Sequence, residues 1–171
     1  EDRRRRVDIE TAAKQLLGLV ERSGVDEGEV YVETSGGVEM VIRDQAVERL
    51  KKRESGGFAL RLMSGKRLAV VYSSDLRPES LEKTVARGAD LARAAAPDDA
   101  NSLVEPAEGV ADVGVYDEEF GAIPFDRKVT LLKDIETLAF ACDPLVKRIE
   151  SISYGDSRGE VVVANTRGVF K

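Results

Sequence analysis

Apolar and polar residues alternate with a period of two in the middle of the chain. One alternating run covers residues 58–63 and a second covers residues 68–73. This period is typical of β-strands that place one face on a core. Ser64 and Gly65 separate the two runs, and a glycine there favours a short hairpin turn. We therefore predict a central antiparallel hairpin, followed by a helix that begins at Pro78.

A spacing of three to four residues between apolar positions predicts three helices. The first extends from a cap at Asp8 to about Ser23, the second from Pro78 to Ala96, and the third from a cap at Asp126. We expect each helix to bury one stripe of side chains. In the third helix the residues predicted to point inward are Val129, Leu132, Ile135, Leu138, Ala139 and Cys142.

Glycine-rich and polar breaks divide the remaining apolar runs into short predicted strands. We expect turns at Gly36-Gly37, at Asp44-Gln45 and within residues 155–159. The charged run 46–52 suits the edge of a sheet, where lysine discourages unwanted strand pairing. Besides the central hairpin, the predicted strands are 29–34, 38–43, 46–52, 113–116, 147–154 and 160–164.

These elements predict an α+β fold, with a two-layer arrangement in which helices pack on one face of a mainly antiparallel sheet. We expect a single domain over residues 1–171, divisible into halves 8–97 and 125–171 by a long loop at 98–124. Helix, strand, turn and strand follow one another in both halves, which suggests an internal duplication. Because the chain starts at Glu1 and stops shortly after a turn-like run, we expect it to be a fragment of a longer protein.

The absence of histidine is the composition fact that limits chemistry most. It excludes a Ser-His-Asp triad, a Cys-His pair and a histidine-ligated zinc site within this chain. We interpret Cys142 as a small core residue, since no histidine is present to activate it. A single cysteine forms no internal disulfide, which favours a cytoplasmic protein. We therefore expect no catalytic residue, cofactor or metal ligand in this chain.

The charge balance limits the choice of partners. The formal net charge is −6, whereas nucleic-acid binding favours a basic surface. We interpret the basic run Arg3–Arg6 as a solvated terminus, with a nucleic-acid-binding arm as the disfavoured alternative. No apolar run reaches the roughly 20 residues that a membrane span requires, so we expect no membrane partner.

One ordered set of residues is spread over nearly the whole chain. It consists of Arg53, Gly56, Arg61, Gly65, Lys66, Arg67, Ser74, Asp75, Leu76, Pro78, Glu79, Leu81, Lys128, Val129, Leu132, Asp143, Pro144, Val146 and the run Val163–Gly168. This set resembles the N-terminal domain of the TldD/PmbA (TldE) family, also called modulators of DNA gyrase. Four residues depart from the family pattern, namely Arg77 at the helix cap, Phe58, Ala59 and Thr166.

This resemblance implies that the chemistry lies outside the chain. In the TldD branch, an H-E-x-x-x-H helix and a cysteine of a C-terminal domain bind zinc for peptide hydrolysis, and the PmbA branch lacks these ligands. The present chain would then be a scaffold or substrate-channel domain in a homo- or heterodimer with another family subunit. It would admit an unfolded peptide, and the predicted cavity-wall residues are Lys51, Lys52, Arg53 and Arg61.

A second interpretation stays open beside this one. The chain is equally compatible with a non-enzymatic regulatory or assembly module, such as an inactive partner subunit or a gyrase modulator. An H-E-x-x-x-H motif in the sequence beyond Lys171 would favour hydrolysis, and its absence would favour the scaffold partner.

Overall fold

A computed structural model describes residues 8–107, 113–117, 119 and 122–171. The described chain has an α+β fold, as predicted, with a four-stranded antiparallel sheet in the order β3-β2-β1-β4. The elements are α1 (Ile9–Arg22), β1 (Glu27–Arg43), β2 (Ala46–Ser64), β3 (Arg67–Ser73), α2 (Pro78–Ala94), α3 (Phe125–Cys142) and β4 (Ile152–Asn165).

Two-residue turns join the first three strands. Asp44 and Gln45 have φ values of 51° and 59°, and Gly65 and Lys66 have φ values of 55° and 64°. Two successive left-handed residues define the turn type that suits the twist of a hairpin. The turn at Asp44-Gln45 is confirmed, and so is the glycine-containing turn between the two central runs, where Ser64 pairs with Arg67 across Gly65-Lys66.

The predicted turn at Gly36-Gly37 is wrong, because β1 continues through it as a single 17-residue strand. A Cβ at Gly37 would overlap the backbone oxygen of Asp156. Glycine here permits the close approach of a neighbouring strand, which is its other common use within sheets. The predicted turn at 155–159 is also wrong, since those residues lie inside β4.

Two further strand predictions differ from the structure. The predicted strand 113–116 is wrong because residues 113–117 are irregular, and of the predicted strand 147–154 residues 152–154 belong to β4, whereas 147–151 are irregular. The basic run Arg3–Arg6 lies outside the described residues. The chain divides into two compact units. The predicted single domain with halves 8–97 and 125–171 stays a prediction.

Unit 1 contains the described residues up to Ser35, the segment from Ser55 to residue 107, and Gly159–Lys171. Its core forms where α1 and α2 cover one face of the strands. The Asp8 carboxylate accepts hydrogen bonds from the amides of Glu10 and Thr11, which caps α1 as predicted. A Cβ at Gly88 would crowd Leu62 and Val71, so this glycine lets α2 lie close to the sheet.

The burial of the central hairpin shows which alternating row faces the core of unit 1. Phe58, Leu60 and Leu62 of β2 are buried, together with Ala69 and Val71 of β3. Their neighbours Val70 and Tyr72 are exposed, and 83% of Tyr72 is accessible to solvent. Alternation alone predicts two rows, but the position of α1 and α2 decides which row is inside.

Unit 2 contains residues 36–54 and the described residues from 113 to 158. Its small core joins Leu132 of α3 to Met40 and Ile42 of β1. The predicted inward stripe of α3 is largely wrong, because Ile135 is 41% exposed, Leu138 is 64% exposed and Cys142 is also exposed. Only Leu132 and Glu136 are buried on this 18-residue helix, since the strands of unit 2 cover a narrow line along it.

Candidate functional site

The predicted cavity-wall residues lie on two separate parts of the chain. Lys51, Lys52 and Arg53 belong to the hairpin of unit 2, and Arg61 belongs to unit 1, where its Nη1 donates to Glu29 Oε1 at 3.1 Å. The structure therefore brings together the first three of the four. We define the charged hairpin as residues 36–54, the part of β1 and β2 on both sides of the Asp44-Gln45 turn.

The charged hairpin has an exposed and partly unpaired strand. All residues of β2 from Ala46 to Ser55 are exposed. On the side of β2 opposite β1, the partner strand β3 covers only Phe58–Ser64. Within the described part of the chain, residues 46–54 therefore have no strand neighbour on that side. Their outward amide and carbonyl groups remain available for hydrogen bonds with another chain.

The tip of the charged hairpin is fastened to α3 by one buried carboxylate. Glu136, which is 1% exposed, accepts from the amide of Asp44 at 2.9 Å and from the amide of Gln45 at 2.7 Å. The side-chain amide of Gln45 donates to the same carboxylate at 2.8 Å. Three donors therefore satisfy this buried charge, as such a group requires.

A second buried cluster connects α3, β4 and β1 within unit 2. The carboxylate of Asp156 accepts from Lys128 Nζ, from the hydroxyl of Tyr154 at 2.8 Å and from the amide of Val38 at 3.1 Å. The Lys128 and Asp156 side chains are only 11% and 8% exposed. The cluster is therefore a desolvated ion pair with additional hydrogen bonds, and it holds three elements in one arrangement.

The pKa shifts in this cluster follow from burial and from the ion pair. Burial by itself raises the pKa of Asp156, but the hydrogen bonds from Lys128, Tyr154 and Val38 together outweigh it and lower the pKa. The hydrogen bond to Asp156 raises the pKa of Lys128, against the opposing effect of burial. Burial, followed by the contact with Asp156, raises the pKa of the Tyr154 hydroxyl. Lys128 and Asp156 are therefore both charged at neutral pH.

Most cationic side chains of the charged hairpin form ion pairs with carboxylates of the same chain. Arg43 contacts Glu48 at 3.0 Å, Lys52 contacts Glu54 at 2.9 Å and Arg53 contacts Glu39 at 2.7 Å; these are the pairs at the surface of the hairpin. Such exposed pairs stabilise the fold weakly, by about 0–1 kcal/mol each. They do reduce the positive charge that the hairpin offers to a ligand.

A shallow open pocket of about 380 Å³ lies beside the same hairpin. Arg43 is fixed there by a hydrogen bond from its Nε to the backbone oxygen of Glu150 at 2.7 Å. The lining residues are Val41, Arg43, Glu48, Arg49, Glu150 and Ser151. Two arginines and two glutamates balance in charge, so the pocket has the character of a polar surface depression.

Neither metal chemistry nor a membrane span is supported by the described residues. They contain no group of three or more His, Cys, Asp or Glu side chains placed to bind a metal ion. The full sequence has no histidine and one cysteine, so the chain does not fit a zinc site. Among the described helices, none combines the length and the apolar character needed to cross a bilayer.

Two family models match the chain. The PmbA/TldA metallopeptidase domain 1 matches residues 28–96, and the PmbA/TldA metallopeptidase central domain matches residues 118–171. The chain belongs to the PmbA/TldD metallopeptidase family. The resemblance inferred from the sequence is confirmed, and the charged hairpin falls within the region matched by domain 1.

Known relatives of this PmbA/TldD family chain are considerably longer. The metalloprotease PmbA of Escherichia coli O157:H7 is 25% identical over 172 residues, which cover 95% of this chain and 36% of that protein. The chain therefore spans about a third of the length of that curated relative. The remainder of the Escherichia coli protein lies outside the matched region.

Solved structures share the fold. A candidate modulator of DNA gyrase from Bacteroides thetaiotaomicron matches with a TM-score of 0.81 and 24% identity, over 97% of this chain and 38% of that chain. TldE from Thermococcus kodakarensis matches with a TM-score of 0.76 and 22% identity, over 94% of this chain and 36% of that chain. At these identities the likeness establishes the fold.

Sequence reasoning missed the residues that fix the charged hairpin. Glu136 looks like an ordinary polar residue of an amphipathic helix, and Asp156 looks like a turn residue in a glycine-rich run. One local signal was present for Glu136, since it lies four residues after Leu132 and therefore on the same helical face. No local signal identified its partners, which are 91 and 92 residues away in sequence.

Proposed function

We propose that this chain is the N-terminal scaffold of a PmbA/TldD protein that takes part in peptide proteolysis or processing, and that it binds the peptide without cleaving it. The observation that carries the proposal is the unpaired edge of β2 at residues 46–54, which belongs to a hairpin fastened by Glu136. A fixed and exposed strand edge is the arrangement that accepts an extended peptide as an additional strand.

The hairpin geometry identifies the groups that would bind the peptide. A two-residue turn makes its flanking residues, Arg43 and Ala46, a hydrogen-bonded pair. In an antiparallel pair the hydrogen bonds alternate along the strand, so the amide and carbonyl groups of Val47, next to the turn, point away from β1. Farther along, the Ser35 and Ser55 hydroxyls lie 2.7 Å apart, one residue out of step with the Arg43-Ala46 pair, so β2 contains one extra residue between these points. A peptide strand would pair with the outward-pointing groups of this edge. Main-chain pairing is independent of sequence, which suits an unfolded substrate.

The hydrolytic step belongs to residues outside this chain in the proposal. The chain does not fit zinc, so a metal centre would be supplied by the remainder of the full-length protein or by a partner subunit of the same family. The assignment to a dimer and to the cytoplasm stays a prediction. Reading the gene beyond Lys171 for an H-E-x-x-x-H motif distinguishes a metallopeptidase from an inactive partner.

Peptides with blocked backbone amides provide the test. A fluorescent unstructured peptide is titrated with the chain, and two derivatives carry N-methyl groups on alternate residues in the two possible registers. We expect one derivative to lose binding and the other to retain it, because only alternate amides face the β2 edge. Equal binding of both derivatives would exclude strand addition. Binding without any turnover in the full-length protein would favour the regulatory or assembly module.

A substitution test uses the full-length protein. Replacing Lys51, Lys52 and Arg53 together by glutamine should slow peptide turnover, and so should Arg61→Gln if that residue also lines the substrate path. Lys83→Gln is the matched control, since Lys83 is an exposed cation of α2 outside the charged hairpin. Turnover that is unchanged in the triple variant would contradict the assignment of these residues to the wall.

A further inference from the structure

Two tyrosines flank one alanine on the sheet face of unit 1 that α1 and α2 leave uncovered. Tyr72 of β3 is the direct partner of Ala59 of β2, and the side chains of such a pair lie on the same face. Phe58 and Leu60, the neighbours of Ala59 along the strand, point into the core beneath the helices. Because side chains alternate along a strand, Ala59 and Tyr72 therefore point to the uncovered side, where Tyr72 is exposed.

The register of β1 and β2 places the second tyrosine on the other side of Ala59. Two contacts, one at each end of this stretch, agree on one antiparallel register; they join Glu29 to Arg61 at 3.1 Å and the hydroxyls of Ser35 and Ser55 at 2.7 Å. The strands between these contacts therefore pair without a net bulge. In this register Tyr31 of β1 lies opposite Ala59, and Glu33 lies opposite Gly57.

The small residues Gly57 and Ala59 form the floor of a groove between the two tyrosines. Neighbouring strands lie about 4.8 Å apart, so the positions of Tyr31 and Tyr72 are about 10 Å apart across β2. A cation centred above Ala59 would lie about 5 Å from each side, within the roughly 6 Å over which an aromatic ring attracts a cation. We define the tyrosine groove as Tyr31, Gly57, Ala59 and Tyr72.

One wall of the tyrosine groove also carries a carboxylate that lacks a positive partner. Glu33 is exposed and accepts a hydrogen bond from the Tyr31 hydroxyl at 2.9 Å. This bond raises the pKa of the Tyr31 hydroxyl, so the ring stays neutral. Among the described residues Glu33 forms no ion pair, whereas Glu29 on the same strand face is paired with Arg61. The groove therefore combines two aromatic rings with one uncompensated carboxylate.

We propose that the tyrosine groove binds a cationic side chain, arginine or lysine, of a basic peptide that lies on the uncovered sheet face. The two rings would contact the cation, and Glu33 would supply its counter-charge. The net charge of −6 attracts a basic peptide over a longer range. This inference goes beyond the proposed function, because the groove uses none of the residues of the β2 edge at 46–54.

An uncharged ring, such as that of proline or phenylalanine, is the other group that can stack between two tyrosines. It would take water away from the Glu33 carboxylate without giving it a partner, which costs free energy. A cation gains from the rings and from the carboxylate together. The observed set of side chains therefore favours a cation.

The test compares three fluorescent peptides, rich in glycine and serine and otherwise uncharged, that differ at one central position. This position is arginine, citrulline or glutamate, and citrulline keeps the shape of arginine without its charge. Binding to the chain is measured by fluorescence anisotropy. We expect about threefold from each ring and from the carboxylate, so the arginine peptide should bind about 30-fold more tightly than the citrulline peptide.

Substitutions locate the contact. Tyr72→Leu removes an exposed ring and should reduce the preference for arginine about threefold, whereas Tyr72→Phe keeps the ring and the preference. Glu33→Gln should also reduce the preference about threefold. The matched control is Glu82→Gln, which removes an exposed carboxylate of α2 and should leave the preference unchanged. Far-UV circular dichroism verifies that each variant is folded, and the arginine peptide should shift the amide resonances of Gly57 and Ala59 in NMR spectra.

The outcomes distinguish this inference from the proposed function. Equal binding of the arginine and citrulline peptides would overturn the selection of a cation, and so would a full preference in Tyr72→Leu. If Glu82→Gln lowers the preference as much as Glu33→Gln does, long-range charge explains it and the groove is not the site. Strand addition is tested separately by the N-methylated peptides. Their register effect without an arginine preference would refute the groove alone, and the reverse result would refute strand addition alone.

Discussion

Glu136 provides the most direct test of how the charged hairpin is held. Its carboxylate accepts three hydrogen bonds, at 2.9 Å, 2.7 Å and 2.8 Å, from the backbone and side chain of the turn. Replacement by alanine removes the two acceptor oxygens and with them all three hydrogen bonds, but the turn residues Asp44 and Gln45 are exposed and recover bonds with water. At about 1 kcal/mol for each bond, Glu136→Ala should lower the free energy of unfolding by about 3 kcal/mol.

Glu136→Gln keeps the shape and one acceptor oxygen, and it turns an amide group toward backbone donors. We expect a loss of about 1–2 kcal/mol. The matched control is Thr137→Ala, because Thr137 is the next residue of α3 and lies 3.4 Å from the Gln45 side chain, too far for a strong hydrogen bond. This control should change stability by less than about 0.5 kcal/mol.

Two measurements read out these changes. Urea unfolding gives the free energy, and amide hydrogen exchange reports the local opening at Asp44 and Gln45. Both amides should exchange faster in Glu136→Gln than in the wild type, while the amides of α1 stay unchanged. If Glu136→Gln and Thr137→Ala unfold at the same urea concentration and the two turn amides keep their protection, the buried carboxylate does not fasten the hairpin.

Three further predictions concern packing and pH. The pKa of Asp156, which is buried against a lysine of α3, is lowered, so its contribution to folding stability is present above the unfolded pKa and is lost as the pH falls below about 4. The melting temperature of Asp156→Asn should therefore depend less on acid pH than that of the wild type. Parallel curves of melting temperature against pH would contradict this. Gly37→Ala should lower the free energy of unfolding in urea by about 1–3 kcal/mol, because the added Cβ meets the backbone oxygen of Asp156. Gly155→Ala has open space around the added Cβ and should leave this free energy unchanged or raise it. Leu132→Ala should lower the free energy of unfolding by about 2–4 kcal/mol, and Leu138→Ala by less than about 0.5 kcal/mol, because Leu132 is buried and Leu138 is 64% exposed. Similar losses for both variants would mean that Leu138 also points into the core, as the sequence predicted.

Local signals predicted several parts of this fold well. The Asp8 cap, the start of α2 at Pro78 and the turn at Asp44-Gln45 depend on residues within a few positions of one another. The family resemblance was also available from the sequence, since it depends on the order of residues. The α+β class followed from the combination of helical and strand periods.

The same reasoning failed where a local signal had two physical meanings. Glycine pairs mark tight turns, but they also mark strands that another backbone approaches closely, as at Gly37. A helical spacing of apolar residues marks a stripe, but it does not determine whether a neighbour covers that stripe. On α3 it predicted burial of Ile135 and Leu138, and both are exposed, whereas Leu132 and Glu136 are the residues of the helix that are buried.

The sequence by itself determined the periods of the elements, the cap of α1 at Asp8, the family and the absence of histidine chemistry. The predicted cap at Asp126 is wrong, because α3 begins at Phe125 after Pro124 and has no side-chain cap. Tertiary structure alone decided which alternating row is buried, which glycines are turns, and which carboxylates hold the charged hairpin. The physical reason is range. Caps and turns are set by neighbours along the chain, whereas the contacts of Glu136 with Gln45 and of Asp156 with Val38 join residues 91 and 118 positions apart. Such pairs exist only once the strands have assembled around them.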